Sequence, residues 1–119
     1  MREKITNFLI NFKEIASKNG ILLWRNPNNL ETLGYLGITK KNLEEILIGL
    51  SAEDCCSPPE QDHSGRGEVF FFGKRVNGYD IYIKLKILNG DRVLCMSFHI
   101  SKKPLDFPLK KKVEGKNEE

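Results

Sequence analysis

The feature that most constrains the fold of this chain is the stretch 68–101, in which three apolar-polar segments are separated by two Asn-Gly dipeptides. Asn-Gly favours a two-residue turn, because a type I′ turn requires positive φ at both of its central residues. The stretch therefore predicts three antiparallel strands, joined by turns at Asn77-Gly78 and Asn89-Gly90.

Two-residue turns also predict the register of these strands, with Val76 opposite Tyr79 and Leu88 opposite Asp91. Counting outward gives one apolar face with the pairs Phe70/Leu85, Phe72/Ile83, Leu85/Leu94, Ile83/Met96 and Ile81/Phe98. The remaining side chains must point the other way, because successive side chains of a strand alternate between faces. They form an open face with the rungs Arg75/Asp80/His99, Gly73/Tyr82/Ser97, Phe71/Lys84/Cys95 and Val69/Lys86/Val93.

The first half of the chain carries helical patterns. An apolar stripe at helical spacing predicts a first helix over about residues 3–18, made by Ile5, Phe8, Leu9, Phe12, Ile15 and Ala16. Thr39 is a typical N-cap for another helix, whose apolar side holds Leu43, Ile46, Leu47 and Leu50. We also expect a short helix over 30–36, a helical turn after Ser51, and either a short strand or an extended connection over 21–24.

Two amphipathic helices need an apolar surface to cover, and the predicted sheet offers one. We therefore expect an α+β domain of two layers over residues 1–101, with the N-terminal helices packed on one face of a three-stranded meander. The segment 55–67 has the composition of a mobile loop. We expect residues 102–119 to form a basic tail, with Leu105, Phe107 and Leu109 lying across the domain and the last several residues disordered.

Composition limits the classes of function. The chain has 119 residues and a net charge of +3, which permits an anionic partner without requiring one. Its three cysteines do not suggest a disulfide framework, and no apolar run approaches the roughly 20 residues that span a bilayer. We expect a cytoplasmic protein with no membrane partner and no cofactor.

The open face holds the candidate site. Cations next to an aromatic ring suit a phosphodiester strand, because the cations bind phosphates and the ring stacks on a base. The candidate RNA-binding residues are Arg75, Lys84, Lys86 and Asp80. The alternative interpretation is an ordinary solvated surface, with Tyr82 as a packed aromatic.

The predicted pair of Asp80 and His99 is the most specific indication of catalysis on this face, because a carboxylate fixes the tautomer of an imidazole and makes it a usable acid or base. It could equally be a surface ion pair of little energetic worth. His63, in the predicted loop, could reach the same face or be a solvated side chain. A zinc site is a further alternative, assembled from Cys55, Cys56, His63, Cys95 and His99, although their spacing matches no standard pattern.

Four segments resemble, in order and with similar spacing, the MqsR family of bacterial toxins. They are Ile48-Gly49-Leu50-Ser51 with Asp54, Asp62-His63, Ile81-Tyr82-Ile83-Lys84 with Ile87, and Val93-Leu94 with Ser97-Phe98. This resemblance covers about residues 40–100. It implies the fold of the RelE-like messenger-RNA interferases, an RNA substrate cut with or without the ribosome, and a cognate antitoxin.

The resemblance also implies roles for particular residues. Tyr82 matches a tyrosine thought to take part in cleavage, and His99 stands where the family has an implicated lysine. The family's lysine after the Gly-Leu-Ser helix has no clear match here, and its strand-one glutamine falls near Glu68.

These residues suggest a mechanism for RNA cleavage by its own 2′-OH. His99 oriented by Asp80, or Glu68, takes the 2′-OH proton, while Lys84 and Arg75 stabilise the charge on phosphorus. Tyr82 or His63 protonates the leaving oxygen or stacks on a base. The predicted catalytic set is therefore Tyr82, His99, Lys84, His63 and Glu68, without a metal and without binding to DNA by the protein alone. The alternatives are a non-catalytic module that binds RNA or protein through the same face, and a metal-linked regulatory domain.

Overall fold

Three helices and five strands build the domain, and the strands form one mixed sheet in the order β1-β5-β4-β3-β2. The computed structural model describes residues 1–110. The helices are α1 (Arg2–Asn19), α2 (Pro27–Leu36) and α3 (Lys40–Ile48), followed by one 3₁₀ turn (Ala52–Asp54). The strands are β1 (Ile21–Leu23), β2 (Cys55–Gln61), β3 (Glu68–Val76), β4 (Tyr79–Leu88) and β5 (Arg92–Ile100). The prediction of an α+β fold is confirmed, but the sheet has five strands where the sequence predicts three.

The hairpin of β3 and β4 has the predicted register. Val76 pairs with Tyr79, Phe72 with Ile83 and Phe70 with Leu85. Asn77 and Gly78 adopt φ values of 50° and 88°, as a two-residue turn of this type requires.

The predicted register of β4 and β5 is wrong in two steps. Leu88 pairs with Arg92, so the turn has three residues and the pairing moves by one position. A bulge between Cys95 and Ser97 then adds Met96 as an extra residue, and Ile83 pairs with Phe98. A shift of one residue inverts the faces of a strand, so Val93 and Cys95 lie in the core.

Both edges of the sheet depart from the sequence prediction. Residues 55–61, predicted as loop, form β2, which pairs antiparallel with β3 through two irregular steps. Pro58 and Pro59 both lie in the irregular step between Ser57 and Glu60, where neither has a paired partner in β3, and prolines in sheets are confined to such edges and bulges. At the other edge, β1 pairs parallel with residues Val93–Cys95 of β5.

The helices cover one face of this sheet. Phe8 of α1 stacks on Phe70 with ring centroids 3.8 Å apart, and Phe12 is fully buried. Thr39 caps α3 as predicted, since its hydroxyl accepts a hydrogen bond from the N–H of Asn42 at 3.1 Å. The core between the layers includes Ile5, Leu43, Leu47, Ile81, Ile83, Leu85 and Phe98.

The segment 102–110, which we call the strap, runs along the other face of the sheet. Leu105 and Phe107 lie against Gly73 of β3, and Leu109 packs against the core. The guanidinium of Arg2 donates a hydrogen bond to the carbonyl of Leu109 at 2.7 Å. The strap therefore belongs to the packed body, and the disorder predicted for the last residues falls on 111–119, outside the described residues. No helix within residues 1–110 is long and apolar enough to cross a membrane.

Candidate functional site

A cleft of about 430 Å³ lies between the strap and the open face of the sheet. Cys56 and Ser57 of β2 line one side, and Tyr82 and His99 form part of its floor. The strap supplies the remaining wall with Lys102, Lys103, Pro104, Leu105 and Asp106. The cleft is therefore assembled from three strands and a segment that follows the sheet.

Tyr82 and His99 are direct neighbours across β4 and β5. Their ring centroids lie 5.5 Å apart, with the rings tilted by 44°. A phenol and an imidazole held this closely can reach the same phosphodiester, one from each side of its phosphorus. This pairing replaces the predicted rung, in which His99 faces Asp80.

The ring of His99 has a defined orientation. Its Nδ1 lies 3.2 Å from the carbonyl oxygen of Ile100. A carbonyl oxygen can only accept, so Nδ1 carries the proton in this contact, and a neutral ring then has its lone pair on Nε2. The tautomer of His99 is therefore fixed by the backbone carbonyl of Ile100, and not by the carboxylate of Asp80 as the sequence predicts.

Tyr82 is held in its protonated form. Burial, followed by the nearby charges of Cys56 and Glu60, raises the pKa of Tyr82 above its ordinary value of 10.0. A phenol with a raised pKa keeps its proton over the whole physiological range, so Tyr82 can donate a proton but does not act as a base near neutral pH.

The charge in the cleft is mixed but positive. Lys102 and Lys103 line it together with one carboxylate, Asp106. Next to the cleft, Lys84 places its Nζ 5.8 Å from the centre of the Phe71 ring. Two lysines therefore line the cleft, and Lys84 lies two residues from Tyr82 along β4 on the same face, an arrangement that favours an anionic ligand.

A buried asparagine fixes the segment of β5 that carries His99. The side-chain amide of Asn29 in α2 donates to the carbonyls of Trp24 at 2.8 Å and Met96 at 3.1 Å, and its oxygen accepts from the N–H of Phe98 at 3.0 Å. Asn29 therefore takes the place of a strand partner beyond the end of β1 and holds the bulged part of β5.

Arg75 and Asp80, which the sequence places beside His99, bind each other. The guanidinium of Arg75 lies 3.1 Å from the carboxylate of Asp80, and both side chains are at least half exposed. The backbone opposite Asp80 belongs to Ser101, whose N–H donates to the Asp80 carbonyl at 2.8 Å. The prediction that Asp80 orients His99 is wrong, because the two-step shift of β5 moves His99 one rung along the sheet.

Glu68, Lys86 and His63 also lie apart from the cleft. Glu68 is on the helix side of the sheet, where its carboxylate lies 2.6 Å from the Nζ of Lys4. Lys86 is buried and forms an ion pair with Asp62, so it is not available to a phosphate. His63 is exposed in the loop that this pair anchors. The anchor of that loop, Lys86, lies four residues from Tyr82 along β4, or about 13 Å.

The cysteines do not form the metal site considered above. Cys55 and Cys95 are buried in the core, and only Cys56 borders the cleft. Within residues 1–110, no group of three or more His, Cys, Asp or Glu side chains is arranged to hold a metal ion.

Of the residues that line the cleft, the sequence predicts only Tyr82 and His99 as catalytic or RNA-binding. Cys56 and Ser57 fall in a predicted loop, because the prolines that follow them are unusual in a strand. Lys102 and Lys103 were assigned to the tail, although two lysines directly after the strand that carries His99 are a signal for a cationic wall.

No protein-family model matches this chain, and no curated protein is similar enough to count as a relative. The resemblance to the MqsR family therefore depends on the segments quoted above and stays a prediction.

Proposed function

We propose that this protein is an endoribonuclease that cleaves RNA by activating its 2′-OH. The observation that carries the proposal is the pair formed by Tyr82 and His99, whose rings lie 5.5 Å apart in a cleft that also contains Lys102 and Lys103. Cleavage of this kind needs a base for the 2′-OH, an acid for the leaving oxygen and positive charge near the phosphate. The cleft contains a group suited to each task.

His99 is the base in this proposal. Its Nε2 lone pair takes the proton of the 2′-OH while the 2′-oxygen forms a bond to phosphorus. The contact of Nδ1 with the Ile100 carbonyl holds the ring in this tautomer. Glu68 is no longer a candidate for this role, because it lies on the helix side of the sheet with Lys4.

Tyr82 is the acid. It gives its proton to the 5′-oxygen as the bond between that oxygen and phosphorus breaks, and the phenolate later regains a proton from the imidazolium of His99 through water. The products are a 2′,3′-cyclic phosphate and a 5′-hydroxyl. Because burial raises the pKa of Tyr82 above 10.0, the phenol carries its proton before the reaction. The assignment as acid depends on its position beside His99 in the cleft.

Lys102, Lys103 and Lys84 supply the positive charge on the phosphorus side. The sequence predicts Lys84 and Arg75 for this role. Lys102 and Lys103 take the place of Arg75, because the guanidinium of Arg75 is already bound to Asp80. Their ammonium groups stabilise the negative charge that grows on the phosphate in the transition state.

The biological role that we propose follows the resemblance. The chain would be a toxin of a bacterial toxin-antitoxin system of the MqsR and RelE-like type, with messenger RNA as substrate and a cognate antitoxin as partner. Support comes from Tyr82, which matches the family's tyrosine, and from its neighbour in the structure, His99, which stands where the family has a lysine.

The test uses purified protein and single-stranded RNA of mixed sequence. We expect cleavage by the wild type and a loss of about 10²-fold or more in Tyr82→Phe and His99→Ala, the usual contribution of a general acid or base. His63→Ala is the matched histidine control and should cleave like the wild type. Retention of intact RNA by the wild type would instead support the non-catalytic binding module.

A further inference from the structure

A second cleft begins where the first one ends. Its volume is about 340 Å³, against about 430 Å³ for the first cleft, and it lies between α2 and the end of β5. Both clefts include His99 and Lys102 in their linings. The two clefts are therefore continuous around one imidazole and one ammonium group, and the second leads away from Tyr82 around the edge of the sheet.

An exposed aromatic ring borders this second cleft. Tyr35 of α2 is 67% exposed, although large apolar rings are usually at least half covered. It is fixed from behind by Tyr79, with ring centroids 5.5 Å apart in an edge-to-face arrangement and hydroxyl oxygens 3.0 Å apart. The hydrogen bond and the edge contact immobilise the ring and leave much of its surface open to a ligand.

The remaining lining is polar. Asn28 and Glu31 are exposed along the same side of α2. A carboxylate repels phosphate but accepts hydrogen bonds from the amino groups of nucleobases. The charge in the two clefts is therefore divided, with lysines at the shared end and a carboxylate at the far end.

We propose that this second cleft binds a nucleobase of the RNA substrate, stacked on Tyr35 and hydrogen-bonded to Glu31, while a phosphate of the same strand lies at His99 and Lys102. The inference rests on the proposed function, because it extends the same strand from the cleavage site. Tyr35 contacts Tyr79, so the length of β4 from Tyr79 to Tyr82 gives the separation of the two sites. This length is about 10 Å, roughly three times the 3.4 Å separation of stacked bases. The base in question is thus within two or three nucleotides of the bond that is cut.

The experiment measures binding rather than cleavage. Single-stranded oligonucleotides with a fluorescent label are titrated with protein that carries Tyr82→Phe, and anisotropy gives the Kd. Adding Tyr35→Ala should weaken binding about tenfold, the typical loss of one stacked base. Tyr35→Phe keeps the ring and should bind within about twofold of its parent, a small fraction of that stacking loss.

Two further arms test the carboxylate and the location. Glu31→Gln should weaken binding of adenosine or cytidine oligonucleotides more than that of uridine oligonucleotides, because uracil lacks an exocyclic amino group. Trp24→Ala is the control, since Trp24 is an aromatic side chain that is 53% exposed and lines neither cleft. It should leave the Kd unchanged.

The outcomes separate this inference from the proposed function. Cleavage by the wild type together with an unchanged Kd in Tyr35→Ala would overturn the nucleobase subsite and leave the nuclease intact. Absence of cleavage together with weaker binding in Tyr35→Ala would overturn the nuclease and keep the subsite. Equal losses in Tyr35→Phe and Tyr35→Ala would overturn the stacking, because the hydroxyl would then be the group that matters. No binding of any oligonucleotide would overturn both.

Discussion

The side-chain oxygen of Asn29 accepts a hydrogen bond from the backbone N–H of Phe98 at 3.0 Å, in a position that is fully buried. Asn29→Ala would leave this N–H and the carbonyl of Met96 without partners. Each buried group left unpaired costs about 1–3 kcal/mol, so we expect a loss of about 3 kcal/mol in the free energy of unfolding, measured by urea denaturation. Asn7→Ala, at an exposed position of α1, should change it by less than about 0.5 kcal/mol.

The strap depends on the absence of a side chain at Gly73. A Cβ atom there would lie 2.5 Å from Leu105 and 3.0 Å from Phe107, which is too close for either to stay in place. Because the φ angle of Gly73 is not positive, Gly73→Ala should displace the strap without straining the strand. We expect faster hydrogen exchange and proteolysis in 102–110, with the core amides of β4 unchanged. Equal exchange in both proteins would contradict the packing described for the strap.

The ion pair between Lys86 and Asp62 gives a pH dependence to stability. The hydrogen bond from Lys86, with a second from Ser64, lowers the pKa of Asp62 from 3.8 to about 2. The carboxylate therefore stabilises the folded state above pH 3.8, and this contribution is lost as the pH falls towards 2. Asp62→Asn should lower the Tm at neutral pH, and its difference from the wild type should shrink over this window. Asp91→Asn, in the exposed turn before β5, should show no such trend.

Cys56 is a probe of the first cleft. Burial, followed by the charge of Cys55, raises the pKa of the Cys56 thiol to about 11, so alkylation by iodoacetamide at neutral pH should be slow and should accelerate as the pH approaches 11. Cys55 and Cys95 are buried and should react only after unfolding. A bound RNA oligonucleotide should slow the reaction of Cys56 further. An unchanged rate in saturating RNA would contradict the placement of the ligand in this cleft.

The hairpin of β3 and β4 could be predicted to the residue, because the Asn77-Gly78 turn and the apolar alternation select the same register. The β4/β5 register could not. Asn89 and Gly90 have the positive φ values of the expected turn, but a third residue, Asp91, enters it. An Asn-Gly pair occurs in both two-residue and three-residue turns, so the dipeptide alone does not determine the length of the loop.

Because of the bulge at Met96, Tyr82 and His99 lie on the same face of the sheet, as the sequence predicts, although the predicted register is wrong. One extra residue in the turn inverts the faces up to Cys95, and the second extra residue restores them from Ser97 onward. Tyr82 and His99 therefore share a face as predicted, but His99 moves one rung and leaves Asp80. Nothing local in the sequence marks such a bulge, and the residue that binds the bulged segment, Asn29, is far away in the chain.

The central proposal is that the cleft of Tyr82 and His99 cleaves RNA through the 2′-OH. Its most direct test is mass spectrometry of the fragments formed from an RNA oligonucleotide and from the same sequence with 2′-O-methyl groups, each incubated with wild type and with Tyr82→Phe. We predict fragments that end in a 2′,3′-cyclic phosphate or its 3′-phosphate product, formed only by the wild type and only from the unmodified RNA. Fragments with 5′-phosphate ends, cleavage of the methylated oligonucleotide, or full activity in Tyr82→Phe would contradict it.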